Sequence, residues 1–373
     1  MRLEDLQTPT LLIHLDRVRH NLATMQRCLG GSMRRWRPHV KTCKVPEVLS
    51  LLLGAGVRRF KCATTREAEV LLQTASSEHG PIDVLFAMAQ HGANLERATA
   101  LARTHRAHRF SLLTEDPQHA CVLRTRGLGA FVDLDPGYHR TGIPLAERER
   151  IAAVAHAAGS SLQGLHCYDG HLHDGTPAER LHAAHAIYRD LTDLARHLGV
   201  RGELVTSGTP TFPAALAFTD FAAFDHTISP GTVVYWDARS AQLGIEGFLC
   251  AVEVQARVVS RPTAVNFTVD AGSKALDAAA GSPCAELVGP WLAQALTPSE
   301  EHLPLRCAAG MAPPLGTLVR LVPRHVCPTV NLADDAVLVD EGKIVAIVIV
   351  RARGHETLPT LATPPGAAKV RRS

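Results

Sequence analysis

Lys41 is the first side chain in this sequence whose position suggests chemistry. It lies in the run RPHVKTCK at residues 37–44, between a predicted strand at 35–40 and a predicted helix at 46–53. The amine of a lysine at such a junction can be activated by partial desolvation and attack a carbonyl to form a Schiff base. A surface lysine beside a turn would fit the same eight residues, so the rest of the chain must decide.

His325 and Cys327 form the second candidate, within PRHVCPT at 323–329. On an extended segment, residues two apart project to the same side, so imidazole and thiolate could reach one ion. Two ligands are too few for a structural zinc site and suit an open, catalytic metal. A half-buried strand with a packed His and an inert Cys is the alternative. The polar run SEEH at 299–302 could add a ligand, an acid–base group or a helix cap.

Short strand-like runs alternate with helical stretches between residues 35 and 235, which indicates a parallel α/β fold. The strand candidates are 35–40, 59–63, 83–88, 110–114, 130–134, 162–167, 203–206 and 226–229. Helical stretches rich in Ala and Leu include 66–74, 95–104, 145–158 and 178–198. Eight such repeats predict a (β/α)8 TIM barrel, because no G-x-G-x-x-G follows the first strand to favour a doubly wound sheet.

Polar loops follow several predicted strands, which is where barrels of this kind carry their chemistry. Lys41 follows the first strand, Arg140 lies in the loop after the fifth, and Tyr168 follows the sixth. The loops after the seventh and eighth strands contain Ser207, Gly208, Thr209, Gly231 and Thr232. Backbone N–H groups and hydroxyls of such loops could bind a phosphate, although ordinary turns favour the same residues.

Beyond residue 245 the sequence is β-rich, which predicts a C-terminal antiparallel β domain. Its strand candidates are 250–259, 264–269, 317–322, 335–339 and 344–350. We therefore expect a barrel domain over 16–244 and a β domain over 245–373 that includes a strand from 1–15. The tail at 363–373, rich in Pro, Ala and Arg, is expected to be frayed.

Composition excludes several classes of protein. Of the 373 residues, 46% are apolar and 20% charged, and the net charge is +3. This balance gives no reason to expect nucleic acid or a membrane as partner, and no apolar run approaches the roughly 20 residues of a membrane span. The nine cysteines include no C-x-x-C pair and argue against a disulfide framework. The N-terminus MRLED lacks a signal-peptide pattern, so we expect a cytoplasmic protein.

The motifs together resemble those of the fold type III pyridoxal-phosphate enzymes, within them the D-serine dehydratase and D-threonine aldolase family. The resemblance covers nearly the whole chain. It rests on RPHVKT at 37–42, RTG at 140–142, CYDGH at 167–171, SGTPT at 207–211 and HVCPT at 325–329. Each motif alone is weak, and their combination is specific.

The resemblance implies a role for each candidate residue. Lys41 would hold pyridoxal 5'-phosphate as a Schiff base and act as base at the substrate α-carbon. Arg140 would lie near the cofactor's ring hydroxyl, Tyr168 would contact its pyridine ring, and His325 and Cys327 would bind a divalent metal beside the substrate's β-hydroxyl. The implied phosphate-binding residues are Ser207, Gly208, Thr209, Gly231 and Thr232.

By this resemblance, the dehydratases of the family carry a His-x-Cys pair with zinc, whereas the aldolases usually carry His-x-Asp at the same place. Cys327 therefore favours a D-serine dehydratase type that converts a β-hydroxy-D-amino acid to a 2-oxo acid and ammonia. Its soft thiolate favours zinc over manganese or magnesium. The alternative is aldol cleavage to glycine and an aldehyde, as in D-threonine aldolase or 3-hydroxy-D-aspartate aldolase, since PTVNL at 328–332 also resembles the aldolases. The resemblance further implies a homodimer.

Two other classes of function fit less of the chain. A non-catalytic pyridoxal-phosphate carrier would resemble the barrel alone, so the β domain and the pair at 325 and 327 argue against it. A metal-dependent barrel hydrolase is disfavoured because the first predicted strand lacks His-x-His.

Overall fold

The computed structural model describes residues 2–357, and its elements alternate along the first two thirds of the chain. The strands are β1 (Thr10–His14), β2 (Arg59–Cys62), β3 (Asp83–Phe86), β4 (Arg109–Thr114), β5 (Gly129–Asp135), β6 (Ile143–Pro144), β7 (Leu162–Cys167), β8 (Glu203–Thr206), β9 (Asp225–Ile228), β10 (Val252–Ser260), β11 (Asn266–Val269), β12 (Ala285–Val288), β13 (Ala293–Ala295), β14 (Leu303–Cys307), β15 (Leu318–Pro323), β16 (Asp335–Asp340) and β17 (Lys343–Ile349). The α-helices are α1 (Leu15–Cys28), α2 (Val40–Cys43), α3 (Pro46–Gly54), α4 (Thr65–Thr74), α5 (Gly92–Thr104), α6 (Pro117–Thr125), α7 (Arg148–Ala158), α8 (Pro177–His197), α9 (Phe212–Ala217), α10 (Ala238–Ala241) and α11 (Val326–Leu332). Short 3-10 helices cover Leu3–Asp5, Met33–Arg35, Ser77–His79, Gly159–Ser161, Thr219–Ala223 and Thr232–Val234.

The first sheet is parallel, in the order β2-β3-β4-β5-β7-β8-β9, with the short β6 beside β5. Its two edges are joined by the extended segment 36–39, because Trp36 bridges Ile228 of β9 and His39 bridges Lys61 of β2. Backbone bonds of 2.9 Å from Arg37 N to Ile228 O and from Lys61 N to Pro38 O complete the closure. This segment is the first strand of the cylinder, and the predicted (β/α)8 barrel is confirmed.

Side chains fill the inside of the barrel, as expected for a cylinder of this size. Leu85, Leu113, Phe131 and Val205 form a buried cluster separate from the main core, which includes the residues between the strands and the outer helices. Lys61 is the register partner of Leu85 and therefore points inward with it. The interior thus contains both an apolar layer and charged groups.

The second sheet is built mainly of antiparallel strands. Strands β10, β11, β14, β13, β12 and β15 pair in a closed ring, since β10 pairs with both β11 and β15. From β10 the sheet continues through β1 and β16 to β17. β1, from the start of the chain, pairs antiparallel with β10 and parallel with β16. The predicted C-terminal antiparallel β domain is confirmed as an architecture.

Two local predictions are wrong. The first predicted strand includes residue 40, but Val40–Cys43 forms a one-turn helix that contains Lys41. The run at 323–329 was predicted to be extended, but β15 ends at Pro323 and α11 starts at Val326. The tail at 363–373 lies outside the described residues. Among residues 2–357, none of the helices combines the length and apolar character needed to cross a membrane.

Candidate active site at the barrel mouth

Lys41 stands on α2, the single helical turn that follows the first barrel strand. The helix begins after His39, whose Nδ1 accepts the backbone N–H of Lys41 at 3.3 Å. It ends at Cys43, and the next residue, Lys44, has a positive φ of 51° and donates from Nζ to Glu67 Oε1 at 2.9 Å. These contacts fix the backbone of a lysine whose own side chain is exposed at the barrel mouth.

The loops after β8 and β9 line the same mouth with small residues. Ser207 has a φ of 60°, and its buried Oγ has no hydrogen-bond partner among the described residues, as is also true of Ser229 Oγ. A Cβ at Gly208 would lie 3.0 Å from the Tyr168 ring, and one at Gly231 would lie 2.8 Å from Thr42 Oγ1. A larger residue at either glycine would therefore crowd Tyr168 or Thr42.

Arg140 lies against the aromatic wall of the mouth. Its guanidinium is 4.6 Å from the ring centre of Tyr138 and 5.3 Å from that of Tyr168. The loop that presents it is held by Asp135, whose Oδ1 accepts the N–H groups of Gly137, Tyr138 and His139 at 2.9, 2.7 and 3.0 Å. Cation–π contacts of this kind orient the guanidinium above Tyr168.

Burial raises the pKa of Tyr168 to about 12, so its hydroxyl stays protonated at neutral pH. The neighbouring Asp169 supports the loop after β8, because Thr211 Oγ1 donates to Asp169 Oδ1 at 2.7 Å. Thr211 in turn accepts the N–H of Gly208 at 3.2 Å. The loops after β7 and β8 are thus tied together.

His325 and Cys327 meet at the start of α11. His325 is the residue before the helix, and Cys327 lies in its first turn. Cys327 Sγ is 3.1 Å from Thr42 Oγ1 and 3.7 Å from Thr232 Oγ1. The pair therefore reaches the barrel mouth beside the residue that follows Lys41, although on a helix start instead of a strand.

The charges of His325 and Cys327 stabilise each other. Burial opposes the charge of His325, but its hydrogen bond to Asp237 and the adjacent Cys327 outweigh burial and raise its pKa to about 10. Burial likewise disfavours the thiolate of Cys327, but His325 and Lys41 outweigh it and lower the pKa. A thiolate beside an imidazole that has given up its second proton to the incoming ion is a donor set that zinc accepts.

The structure brings most predicted site residues to one rim and leaves one cluster apart. Lys41, Arg140, Tyr168 and the two small-residue loops belong to the barrel. Of the pair at 325 and 327, Cys327 contacts Thr42 and Thr232 at this rim. The run at 299–302 instead pairs with Lys274 on the surface, through Glu300 and Glu301 at 3.0 and 2.9 Å. Within residues 2–357, no group of three or more His, Cys, Asp or Glu side chains could hold a metal.

Two features of the site were not predicted. Asp237 Oδ2 lies 3.0 Å from His325 Nδ1 and also accepts the N–H of Val326 at 3.0 Å. Inside the barrel, Lys61 Nζ lies 2.9 Å from His166 Nε2. A lysine and a histidine within otherwise apolar strands were the signal for the second feature, whereas nothing local marks Asp237.

Comparison with known families decides the identity. The family model described as alanine racemase, N-terminal domain, matches residues 13–238, which is more than half of the chain. A family model for a serine dehydratase domain matches residues 251–339. The chain belongs to the fold type III pyridoxal-phosphate enzymes, in the D-serine dehydratase and D-threonine aldolase family.

Relatives of this fold type III enzyme match almost end to end. The present chain is 29% identical to the D-threonine aldolase of an Arthrobacter species over 93% of both chains. It is 26% identical to the D-threo-3-hydroxyaspartate dehydratase of Delftia sp. (strain HT23), over 87% of this chain and 92% of the relative. The crystal structure of D-threonine aldolase from Filomicrobium marinum has a TM-score of 0.81 and 26% identity, covering 94% and 97% of the two chains.

These relatives are aldolases and dehydratases of D-amino acids that carry a β-hydroxyl group. The comparisons therefore support a pyridoxal-phosphate-dependent lyase for this fold type III enzyme. Members of this family depend on pyridoxal phosphate, which agrees with the lysine and the small-residue loops at the barrel mouth.

Proposed function

We propose that this enzyme is a pyridoxal-phosphate- and zinc-dependent lyase of the D-serine dehydratase type. It would eliminate water from a β-hydroxy-D-amino acid, and hydrolysis of the product enamine would give a 2-oxo acid and ammonia. The observation that carries the proposal is the thiol of Cys327, 3.1 Å from Thr42 and adjacent to His325, at the mouth where Lys41 stands.

A solved relative supports the metal and the dehydratase outcome. Structures of a D-threo-3-hydroxyaspartate dehydratase exist with alanine at a histidine, or at a cysteine two positions further along. The structure with the cysteine substituted is described as metal-free. His325 and Cys327 have the same spacing, which supports a metal bound by this pair.

The residues at the mouth fit the phosphate of the cofactor. The unpartnered buried hydroxyls of Ser207 and Ser229 can each donate to an anion, and Gly208 and Gly231 add no side chain to the space beside Tyr168 and Thr42. We assign the phosphate to Ser207, Gly208, Thr209, Gly231 and Thr232. The pyridine ring, when bound, supplies an electron sink for the pair left at the substrate α-carbon.

Lys41 performs the proton transfer in this proposal. As a free amine, its Nζ would remove the proton of the substrate α-carbon. Arg140 holds its guanidinium over Tyr168. Its positive charge would stabilise the negative charge that develops at the site during the reaction. Tyr168 keeps its hydroxyl proton at neutral pH and is therefore not the base.

His325 and Cys327 would hold the divalent cation, which supplies Lewis-acid activation of the β-hydroxyl as leaving group. Asp237 fixes the orientation of His325, because its carboxylate accepts Nδ1–H and leaves Nε2 as the ligand atom. The open coordination positions that remain suit substrate and water.

An aldolase is the second candidate, because the Arthrobacter D-threonine aldolase is 29% identical over 93% of the chain. The same metal pair and the same lysine could support cleavage of the Cα–Cβ bond. The two outcomes would depend on which bond of the substrate the residues of the mouth orient for cleavage, the bond from the α-carbon to hydrogen or the Cα–Cβ bond.

One assay separates the two candidates. Purified enzyme loaded with cofactor and zinc is offered D-serine, D-threonine and D-3-hydroxyaspartate, and ammonia and glycine are measured. The proposal predicts ammonia together with a 2-oxo acid in equal amounts. Glycine and an aldehyde, without ammonia, would make the enzyme an aldolase.

A further inference from the structure

Three polar side chains meet inside the barrel below the candidate site. Lys61 of β2, Asp133 of β5 and His166 of β7 are 3%, 6% and 4% exposed. Lys61 Nζ is 2.9 Å from His166 Nε2, and His166 Nδ1 is 2.7 Å from Asp133 Oδ1. Because β2 lies several strands from β5 and β7 in the sheet, the chain of contacts spans the interior of the cylinder.

The direction of these hydrogen bonds follows from their chemistry. A carboxylate only accepts, so Asp133 holds the proton of His166 on Nδ1. The other ring nitrogen, Nε2, is then an acceptor, and Lys61 donates to it whether the lysine is an ammonium or a neutral amine. Lys61 can therefore gain or lose a proton without breaking its bond to His166.

The Lys61 end of this chain of contacts faces the candidate site. Lys61 Nζ is 5.3 Å from the ring centre of Tyr168, the ring that Arg140 also contacts at 5.3 Å. The Tyr168 ring in turn packs against the backbone at Gly208. A change in the charge of Lys61 thus changes the electrostatic potential at the wall of the site.

The surroundings of Lys61 make its charge adjustable. The groups that face it are Lys41, Arg37, Arg140, His39, His166 and Asp133. Five of them are permanent or potential cations on other elements, and Asp133 is the carboxylate. Burial and the charge of Lys41 lower the pKa of Lys61 to about 7, and burial and Lys61 lower that of His166.

We propose that Lys61, His166 and Asp133 form a buried proton-holding chain that sets the charge beneath Tyr168 and Lys41. Lys61 is a positioning residue that acts through Tyr168 and Lys41 and does not touch the substrate. The chain tunes the electrostatics of the cofactor's pyridine ring, and this part of the inference rests on the proposed function. The chain itself belongs to the protein without cofactor.

The first test uses the protein without cofactor. The ring nitrogens of His166 are followed by ¹⁵N NMR from pH 5 to 9, with the resonance assigned by its loss in H166Q. We expect the Nδ1–H tautomer throughout and an inflection near pH 7 in the wild type. K61M removes the inflection. The Nε2–H tautomer, or an unchanged inflection in K61M, would overturn the proposal.

The second test follows the visible absorbance of the cofactor-loaded enzyme against pH. We expect an inflection near pH 7 that K61M abolishes. K61R keeps the positive charge at every pH and serves as control if K61M does not fold. It should hold the spectrum of the acid form throughout. Titration of K61R like the wild type would contradict the chain.

These outcomes are independent of the reaction type. The NMR titration needs neither cofactor nor substrate, whereas the ammonia and glycine assay tests the proposed lyase. If the inflection of the His166 resonances is observed and the enzyme proves to be an aldolase, the proposed chain stands and only the dehydratase assignment is overturned.

Discussion

Cys327 is the residue on which the dehydratase assignment depends. Cys327→Ala removes one of the two proposed metal ligands, so turnover should fall by about 10²-fold or more while the visible band of the cofactor remains. Steady-state assays and zinc analysis of the dialysed protein measure the two effects.

A matched control for that variant is Cys284→Ala, which also removes a buried thiol of the β domain. Its thiol has a pKa raised by burial and remains a small apolar group. The control should keep its zinc content and turnover. Equal loss of zinc in both variants would contradict the assignment of Cys327 as a ligand.

At the scale of elements, the barrel could be predicted and the start of α11 could not. The strands at 162–167 and 203–206 were predicted to the residue, because buried parallel strands are short apolar runs between turn residues. The run at 323–329 is predicted to be extended, yet Val326–Leu332 forms a helix. Pro328 fits the first turn of a helix, and packing of Val326 and Cys327 against the site overrides their intrinsic preference.

Three strands of the β domain were also missed, namely β12, β13 and β14. They have three to five residues each and contain Ala, Gln, Glu and Pro, so neither length nor alternation distinguished them from loops. Likewise, Asp237 could not be assigned to His325, because that contact joins residues 88 positions apart.

The first barrel strand is anchored by a buried ion pair. Arg37 is fully buried and donates from Nε to Glu203 Oε1 at 2.9 Å and from Nη1 to Asp83 Oδ1 at 3.0 Å. Arg37→Met should lower the free energy of unfolding by about 3–5 kcal/mol, since it leaves the buried Glu203 poorly paired. Arg59→Met, at the partly exposed edge of the same cluster, should cost about 1 kcal/mol or less. Equal losses in urea unfolding would contradict this account.

A second buried carboxylate connects β1 and β10. Glu253 binds His14 at 3.0 Å and Arg17 at 2.8 Å, and these partners outweigh burial and lower its pKa from 4.5 to about 2. A lowered carboxylate pKa stabilises the fold above the unfolded value, and this stability is lost as pH falls through the folded value. Glu253→Gln should therefore cost about 2–3 kcal/mol at pH 7.

The cost of Glu253→Gln should shrink as the pH falls from about 4.5 to 2, because the wild-type carboxylate then binds a proton. Urea unfolding of both proteins at several pH values measures the difference. A difference that is constant with pH would show that the carboxylate charge is not the stabilising group.

At the scale of the whole molecule, the site joins the barrel and the second sheet. Asp237 lies after the last barrel strand and binds His325, which follows β15 of the second sheet. Asp237→Asn retains the size of the side chain but removes the charge that orients His325. Zinc affinity, measured by competition with a chelator, should fall about 10- to 100-fold while the cofactor band is unchanged. Unaltered zinc affinity would mean that Asp237 only caps α10.

The central claim is that Lys41 holds the cofactor, and chemical mapping tests it most directly. The cofactor-loaded enzyme is reduced with borohydride and digested, and the peptide that carries the pyridoxyl phosphate is identified by mass spectrometry. The account predicts one modified residue, Lys41, and no adduct in Lys41→Ala. An adduct on Lys44 or Lys61, or a wild-type protein without any adduct, would contradict it.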